Sequence, residues 1–230
     1  MTHIVEYNCI WNNNANKFLE NFMDEISEFG EVLGTFKLSN TELDQIGYTY
    51  RKDYLDRIIY INFDLSVDTI TDYSRLILEY NRQDKGIPVE ERKPIKIYIF
   101  SYGGDVDAAL HFVDICKLSK TPVYTYNMGV AMSGGFYILL AGEKRFALKN
   151  STALFHQGSA QTSGDAEKIK SFTKQYSKIL KLMFDYTVER TKISKEILSK
   201  KKTTEWYMLA EEQLQLGVVD KIVEDVDEVL

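Results

Sequence analysis

The stretch Val123-Tyr-Thr-Tyr-Asn-Met-Gly-Val-Ala-Met-Ser-Gly-Gly135 passes from apolar and aromatic residues into a serine followed by two glycines. The first residues of this run predict a buried strand at 123–126, and the apolar residues after the glycines predict a buried helix at 136–141. Ser133 therefore lies where a strand passes into the N-terminus of a helix. Unpaired backbone N–H groups gather at that point and favour developing negative charge.

Strands and helices alternate on both sides of this stretch. Apolar runs predict strands at 57–62, 94–100, 123–126, 145–148, 153–155 and 218–223, and helical spacing of apolar residues predicts helices at 68–80, 105–118, 136–141, 165–191 and 210–216. The polar segment 82–93, with a glycine and a proline, is typical of a loop. Alternation through short connections implies βαβ units and a largely parallel sheet, the α/β class.

Two segments extend beyond this pattern. Residues 15–29 follow an asparagine-rich cap and carry apolar residues at helical spacing, so we expect residues 1–50 to be a partly helical N-terminal extension and residues 51–230 to form the main domain. The helix predicted at 165–191 is about 40 Å long at 1.5 Å per residue. Its single apolar stripe suggests that part of it packs on another subunit.

Composition narrows the possible classes of function. A chain of 230 residues that is 44% apolar is long enough to bury a core, and its net charge of −6, with lysines and arginines spread among acids, argues against a nucleic-acid partner. Cys9 and Cys116 are too few for a disulfide framework, and the first residues lack a basic segment followed by an apolar one. With no apolar run near ~18 residues, we expect no membrane partner and a cytoplasmic location.

His156, one of three histidines, is the candidate base for Ser133. A serine hydroxyl is a weak nucleophile until a neighbouring base takes its proton. His156 ends an apolar run and so lies at a strand end, where cleft residues collect in open α/β sheets. His3 lies near the terminus and His111 lies off the apolar face of its helix. A histidine satisfied within the core is the alternative interpretation of His156.

Glycines next to the serine favour an oxyanion hole. Gly103 and Gly104 follow the strand at 94–100 and accommodate positive φ, while Gly134 lets a substrate carbonyl approach the backbone closely. The N–H groups of Gly104 and Gly134 are the predicted donors to the oxygen of a tetrahedral intermediate. The alternative is that both glycine pairs only form tight turns.

Taken together, these residues resemble the ClpP family of serine peptidases, the proteolytic subunits of the ATP-dependent Clp protease. The resemblance covers about residues 53–225 and rests on Ser101-Tyr-Gly-Gly104, Gly129-Val-Ala-Met-Ser-Gly-Gly135, Leu154-Phe-His-Gln157 and Leu216-Gly-Val-Val-Asp220. It implies the ClpP/crotonase-like α/β fold of repeated β-β-α units, with a protruding handle helix at about 158–191.

The resemblance also implies an activity. Ser133 would be the nucleophile, His156 the base, and Glu205 would stand where the family has an aspartate. Unfolded polypeptide would bind as an added strand along Gly103, Asp105, Val106 and Gln157 inside a homo-oligomer of stacked heptameric rings. The family needs no metal or cofactor, and because this chain has no phosphate-binding motif, ATP use would belong to a AAA+ unfoldase partner.

The sequence departs from the family at several positions and leaves two other functions open. Tyr102 and Gly158 stand where the family has prolines, and the segment 82–93 is longer than in the family. An alternative interpretation of Glu205 is a solvated acid within a polar run. One alternative is a crotonase-type acyl-CoA enzyme, which uses paired backbone N–H groups without a serine and histidine. The other is a non-catalytic ring subunit in which Glu205 does not reach His156.

Overall fold

The computed structural model describes residues 42–230, with side chains from residue 48 onward, and Arg51–Leu230 form one compact unit. The helix predicted at 15–29, together with His3 and Cys9, lies outside the described residues. The division into an extension and a main domain remains a prediction.

Helices and strands alternate along the described chain. The helices are α1 (Glu42–Asp56), α2 (Val67–Gln83), α3 (Val106–Leu118), α4 (Gly134–Leu140), α5 (Ala166–Arg190), α6 (Lys195–Lys201) and α7 (Ala210–Gln215). The strands are β1 (Ile58–Ile61), β2 (Ile95–Ser101), β3 (Val123–Met132), β4 (Lys144–Ala147), β5 (Thr152–Phe155), β6 (Trp206–Leu209) and β7 (Lys221–Ile222). Short 3₁₀ turns lie at Val89–Glu91 and Val226–Glu228.

The strands of the described residues form one seven-stranded sheet with a branch at β3. The main path runs β1-β2-β3-β4-β7 and is parallel throughout. β5 also pairs with β3 in parallel, and β6 pairs with β5 antiparallel. This arrangement confirms the predicted α/β class with a largely parallel sheet.

The branch arises because β3 changes neighbours along its length. Residues 124–127 pair with β4, whereas residues 130–132 pair with β5. Asn127 lies at the change and is fully buried. Its amide nitrogen donates to the Thr152 carbonyl at 3.1 Å and to the Gln213 side-chain oxygen at 3.1 Å, and its amide oxygen accepts from the Gly129 N–H at 3.2 Å. The side chain thus takes over hydrogen bonds where the backbone ladder is interrupted.

Two further features fix the branch. The Gln213 amide nitrogen donates to the carbonyls of Ser151 and Met208 at 3.2 and 3.0 Å, which ties α7 to the strands β5 and β6. Gly129 lies against the Phe100 ring, where a Cβ atom would come within 2.3 Å of a ring carbon. Only glycine fits there without moving the ring.

Helix α4 forms the centre of the core next to the branch. Every residue from Gly134 to Leu140 is buried. At its far end, the Arg190 guanidinium of α5 donates to the carbonyls of Leu140 and Gly142 at 2.9 and 2.6 Å. These bonds satisfy carbonyls that the end of a helix leaves free, and they hold α4 in place behind Ser133.

Some boundaries differ from the prediction. β3 continues to Met132, six residues past its predicted end. Within the segment 218–223, where a strand was predicted, only Lys221–Ile222 form one. Helix α6 and strand β6 were not predicted, because 195–209 is rich in lysine and lacks a clear apolar period. No described helix is long and apolar enough to span a membrane.

Replacing Asn127 with alanine should destabilise the protein by about 3–5 kcal/mol, because the Gly129 N–H and the Gln213 amide lose buried hydrogen-bond partners. Urea unfolding would measure the change. The exposed Asn150 offers a matched control, and its alanine variant should lie within about 0.5 kcal/mol of the wild type. Equal stability of the two variants would contradict this role for Asn127.

Candidate active site

Ser133 occupies a strained backbone position between β3 and α4. Its φ of 51° and ψ of −119° lie in a region that residues with a Cβ rarely adopt. Its N–H donates to the Leu154 carbonyl at 3.1 Å, which continues the pairing of β3 with β5. Its side chain makes no capping hydrogen bond to α4, so the hydroxyl is not committed to holding the helix.

Gly103 lies directly behind Ser133. A Cβ at this glycine would stand 2.7 Å from the Ser133 Cβ and 3.0 Å from the Gly134 nitrogen, and its φ is +107°. The Gly103 N–H donates to the Ser101 hydroxyl oxygen at 3.2 Å, and its carbonyl accepts from the Leu65 N–H at 2.8 Å. Its backbone groups are therefore engaged within the protein, and its role is to let the loop approach the serine.

Gly104 turns its backbone toward a cavity beside Ser133. Leu65 forms a parallel bridge here that uses the Gly103 carbonyl and the Asp105 N–H. In such a bridge the N–H of the central residue points to the opposite side. Gly104 and Gly134 both line the cavity with Ser133.

His156 follows the end of β5 and lines the same cavity. Since Met132 pairs with Leu154 in parallel register, Ser133 and His156 lie just beyond the ends of neighbouring strands. The imidazole Nε2 is buried and has no hydrogen-bond partner in the described part of the chain. A buried polar atom without a partner costs free energy, and Nε2 is thus uncommitted to any group of the fold.

The cavity has a volume of about 440 Å³. Asp105 and Val106 at the start of α3 and Gln157 after β5 line it, together with an apolar wall from α5 formed by Phe172, Tyr176, Ile179 and Met183. A larger surface cavity of about 570 Å³, lined by α7 and the segment 220–224, includes no serine, cysteine or histidine among its described residues.

Glu205 does not line the cavity. β6 pairs with β5 as far as Trp206 opposite Phe155, and Glu205 and His156 are the next residues beyond this pair. Its carboxylate is exposed and accepts a hydrogen bond from the Tyr207 hydroxyl at 2.7 Å. This contact raises the pKa of Tyr207.

Other candidate nucleophiles and ligands are less suited to chemistry. Cys116 is buried in α3, and burial raises the pKa of its thiol far above the usual range, so it stays a protonated core residue. His111 is exposed on α3. Among residues 42–230 no three histidine, cysteine or acidic side chains are grouped as metal ligands.

Three residues that shape the site were not singled out from the sequence. Leu65 bonds through its backbone to the glycine loop, residues 101–104, and to Asp105 just after it. Ser101 fixes this loop because its hydroxyl donates to the Phe63 carbonyl at 2.7 Å. The Tyr176 hydroxyl donates to the Gln157 carbonyl at 3.3 Å. Ser101 stands within the motif Ser101-Tyr-Gly-Gly104, and Tyr176 stands in the apolar stripe of α5. The contact of Leu65 depends on tertiary folding and gives no local signal.

A parallel α/β sheet with a strained serine and a histidine just beyond the ends of adjacent strands is an arrangement typical of serine hydrolases. A model of the Clp protease family matches residues 53–226, three quarters of the chain. The chain therefore belongs to the Clp protease family, which confirms the resemblance drawn from its motifs.

Individual relatives support the same family at modest identity. The chain is 33% identical over 134 residues to ATP-dependent Clp protease proteolytic subunit 2 of Treponema pallidum, covering 57% of this chain and 67% of the relative. It is 30% identical over 181 residues to the ATP-dependent Clp protease proteolytic subunit of Deinococcus radiodurans, covering 78% and 86%. The solved structure of the ClpP1 N165D mutant from Listeria monocytogenes matches with a TM-score of 0.68 and 26% identity, covering 79% of this chain and 99% of that one. The predicted ClpP-like fold is thus confirmed, and the identities fit a divergent member.

Replacing Gly103 with alanine should destabilise the protein more than replacing Gly86. Gly86 also has positive φ, +94°, but a Cβ there would meet nothing within 4 Å, so its alanine variant reports backbone strain alone. The Gly103 variant adds the clash with Ser133 and should lose about 1–3 kcal/mol more. Chemical denaturation of both variants gives the difference, and equal losses would mean that the loop relaxes freely away from the serine.

Proposed function

We propose that this chain is a serine endopeptidase that hydrolyses peptide bonds in unfolded proteins. The observation that carries this proposal is the hydrogen bond from the Ser133 N–H to the Leu154 carbonyl, because it aligns the ends of β3 and β5. Through it, a serine and a histidine reach one cavity together with two glycine amides. Membership of the Clp protease family supports the same reaction.

The reaction follows from the roles that these atoms are able to fill. The His156 Nε2 takes the proton of the Ser133 hydroxyl as its oxygen attacks the substrate carbonyl carbon. The N–H groups of Gly104 and Gly134 donate to the resulting oxyanion, and each such donor is typically worth about 2.7–4 kcal/mol of barrier. His156 then gives the proton to the leaving amine. A water molecule then gives a proton to His156 as its oxygen attacks the acyl carbon. His156 passes this proton to the Ser133 oxygen as the ester bond breaks, which releases the acid and restores the hydroxyl.

Glu205 is proposed to orient the imidazole. Its carboxylate would accept the Nδ1–H of His156 and stabilise the imidazolium that forms during attack. The antiparallel register that sets Glu205 opposite His156 supports this role, although the extra methylene of glutamate gives the carboxylate more freedom than an aspartate has.

The substrate is proposed to bind as an extended strand along Gly104, Asp105, Val106 and Gln157. The Asp105 N–H is already bonded to Leu65 and its carboxylate accepts from the Ala108 N–H at 2.8 Å, so Asp105 contributes shape and charge at the cavity edge. Backbone pairing of this kind tolerates many sequences. The wall formed by α5 favours an apolar substrate side chain next to the cleaved bond.

Assembly into a homo-oligomer of stacked heptameric rings is part of this proposal. In α5 only Met183, Tyr186 and Thr187 are buried, whereas Ile169 and Leu182 are 42% and 54% exposed. An amphipathic helix with so little of its apolar stripe covered favours packing against another subunit. Residues 158–191 would then form the handle, and a AAA+ unfoldase would feed substrate to the enclosed sites of this cytoplasmic particle.

A serine-directed fluorophosphonate should label the wild-type protein at Ser133, because His156 activates only that hydroxyl. Mass spectrometry would locate the adduct. Ser133→Ala should abolish labelling, and Ser199→Ala, which changes an exposed serine on α6, should label like the wild type. An assembled wild-type particle that resists labelling would instead support a non-catalytic ring subunit, and thermal stabilisation by acyl-CoA would support the crotonase-type alternative.

A charge on the exposed stripe of α5 should separate the two rings. Ile169→Glu places a carboxylate in the proposed contact, so sedimentation should show particles of about half the wild-type mass. Ile197→Glu is the matched control, because Ile197 on α6 is 44% exposed and lies outside the proposed handle. If both variants sediment alike, α5 does not join the rings.

A further inference from the structure

We propose that Tyr207 is a positioning residue whose hydroxyl holds the Glu205 carboxylate facing His156. This inference rests on the proposed serine peptidase function and adds a residue to it. The contact that motivates it is the hydrogen bond of 2.7 Å from the Tyr207 hydroxyl to Glu205 Oε2.

The side chains of β6 alternate between two faces. Trp206 and Met208 are buried, whereas Tyr207 and Leu209 are exposed, as is Glu205 just before the strand. Because side chains two residues apart point to the same side of a strand, Glu205 and Tyr207 share one face. The tyrosine ring therefore reaches back along the strand to the carboxylate without disturbing the buried face.

The partner strand places His156 next to this pair. Tyr207 faces Leu154 and Trp206 faces Phe155, so His156 comes opposite Glu205 at the next step. Directly opposed side chains in an antiparallel pair have Cβ atoms about 4.5–5.5 Å apart. With Oε2 bound by the Tyr207 hydroxyl, the second carboxylate oxygen is left for the imidazole Nδ1–H.

The hydrogen bond from the Tyr207 hydroxyl restricts the rotation of the Glu205 side chain. Glutamate has one more rotatable bond than aspartate, and an exposed glutamate must give up that freedom each time it meets His156. A hydroxyl that fixes one oxygen removes part of this entropy cost in advance. The carboxylate raises the pKa of Tyr207, so the hydroxyl remains protonated and continues to donate near neutral pH.

Other ionisable groups also line the cavity that contains His156. Asp105 caps the start of α3, Asp107 lies in its first turn, and Tyr176 belongs to α5. The Asp105 carboxylate accepts from the Ala108 N–H, and Tyr176 donates to the Gln157 carbonyl. All three remain unchanged in the variants below, so differences between variants report on Glu205 and Tyr207.

A double-mutant cycle tests the proposal through the second-order rate of fluorophosphonate labelling at Ser133. Tyr207→Phe removes only the hydroxyl and should slow labelling about fivefold to tenfold. In a Glu205→Ala background the same change should have no further effect, since the hydroxyl then has no carboxylate to position. Tyr60→Phe, which removes an exposed hydroxyl on β1, is the control and should label at the wild-type rate.

Nuclear magnetic resonance of histidine-labelled protein gives a second readout that does not depend on catalysis. With three histidines in the chain, the Nδ1–H signal of His156 can be assigned by substitution. Tyr207→Phe and Glu205→Ala should each weaken this signal through faster exchange with water, whereas Tyr60→Phe should preserve it.

The outcomes separate this inference from the proposed function. Labelling of Tyr207→Phe at or above the wild-type rate, an equal loss in both backgrounds, or an unchanged Nδ1–H signal would each overturn the role of Tyr207 while leaving Ser133 as nucleophile. Absence of labelling in the wild type would overturn the peptidase proposal, and the Nδ1–H signal would still decide whether Tyr207 positions Glu205.

Discussion

The change of neighbours along β3 is the constraint on which the site depends. A single strand pairs with β4 through residues 124–127 and with β5 through residues 130–132, so the end of β3 lies beside β5 and not beside β4. Such a branch interrupts the backbone ladder, and the buried Asn127 and Gln213 side chains replace the missing hydrogen bonds. Buried polar networks that are fully paired favour one arrangement over its competitors. The position of Ser133 relative to β5 follows from this pairing.

Backbone strain at Ser133 is maintained by its surroundings. A positive φ at a serine costs of order 1–3 kcal/mol and persists only where neighbouring structure enforces it. Here the N–H bond to Leu154, the close approach of Gly103 and the burial of α4 enforce it together. Because Ser133 lines the cavity from this strained turn, the stability of the core is linked to the geometry that the proposed acyl transfer requires. The buried Nε2 of His156, which has no hydrogen-bond partner among residues 42–230, faces the same question of geometry because His156 lines the same cavity.

Much of this could be predicted from the sequence, because the informative signals are local. Apolar runs and helical spacing indicated β1, β2, α2 and α3, and the residue types around Ser133 and His156 indicated the cavity. Strand β6 could not be predicted in this way: its burial depends on pairing with β5, about fifty residues earlier in the sequence. The contact of Leu65 with the glycine loop likewise depends on which segments meet in the fold. Periodicity describes which face of an element is buried but not the register in which two elements pair.

Register therefore connects the apolar core to the proposed chemistry. Ser133, His156 and Glu205 flank three neighbouring strands of the sheet, β3, β5 and β6, and each lies one residue beyond the pairing of its strand. A slip of β6 by one residue would turn Glu205 to the opposite face and expose Trp206 and Met208. Burying those two side chains opposes the slip, since a fully buried large apolar side chain contributes about 1.5–3 kcal/mol. Trp206 and Met208, which favour this register, are thus core residues that take no direct part in the proposed chemistry.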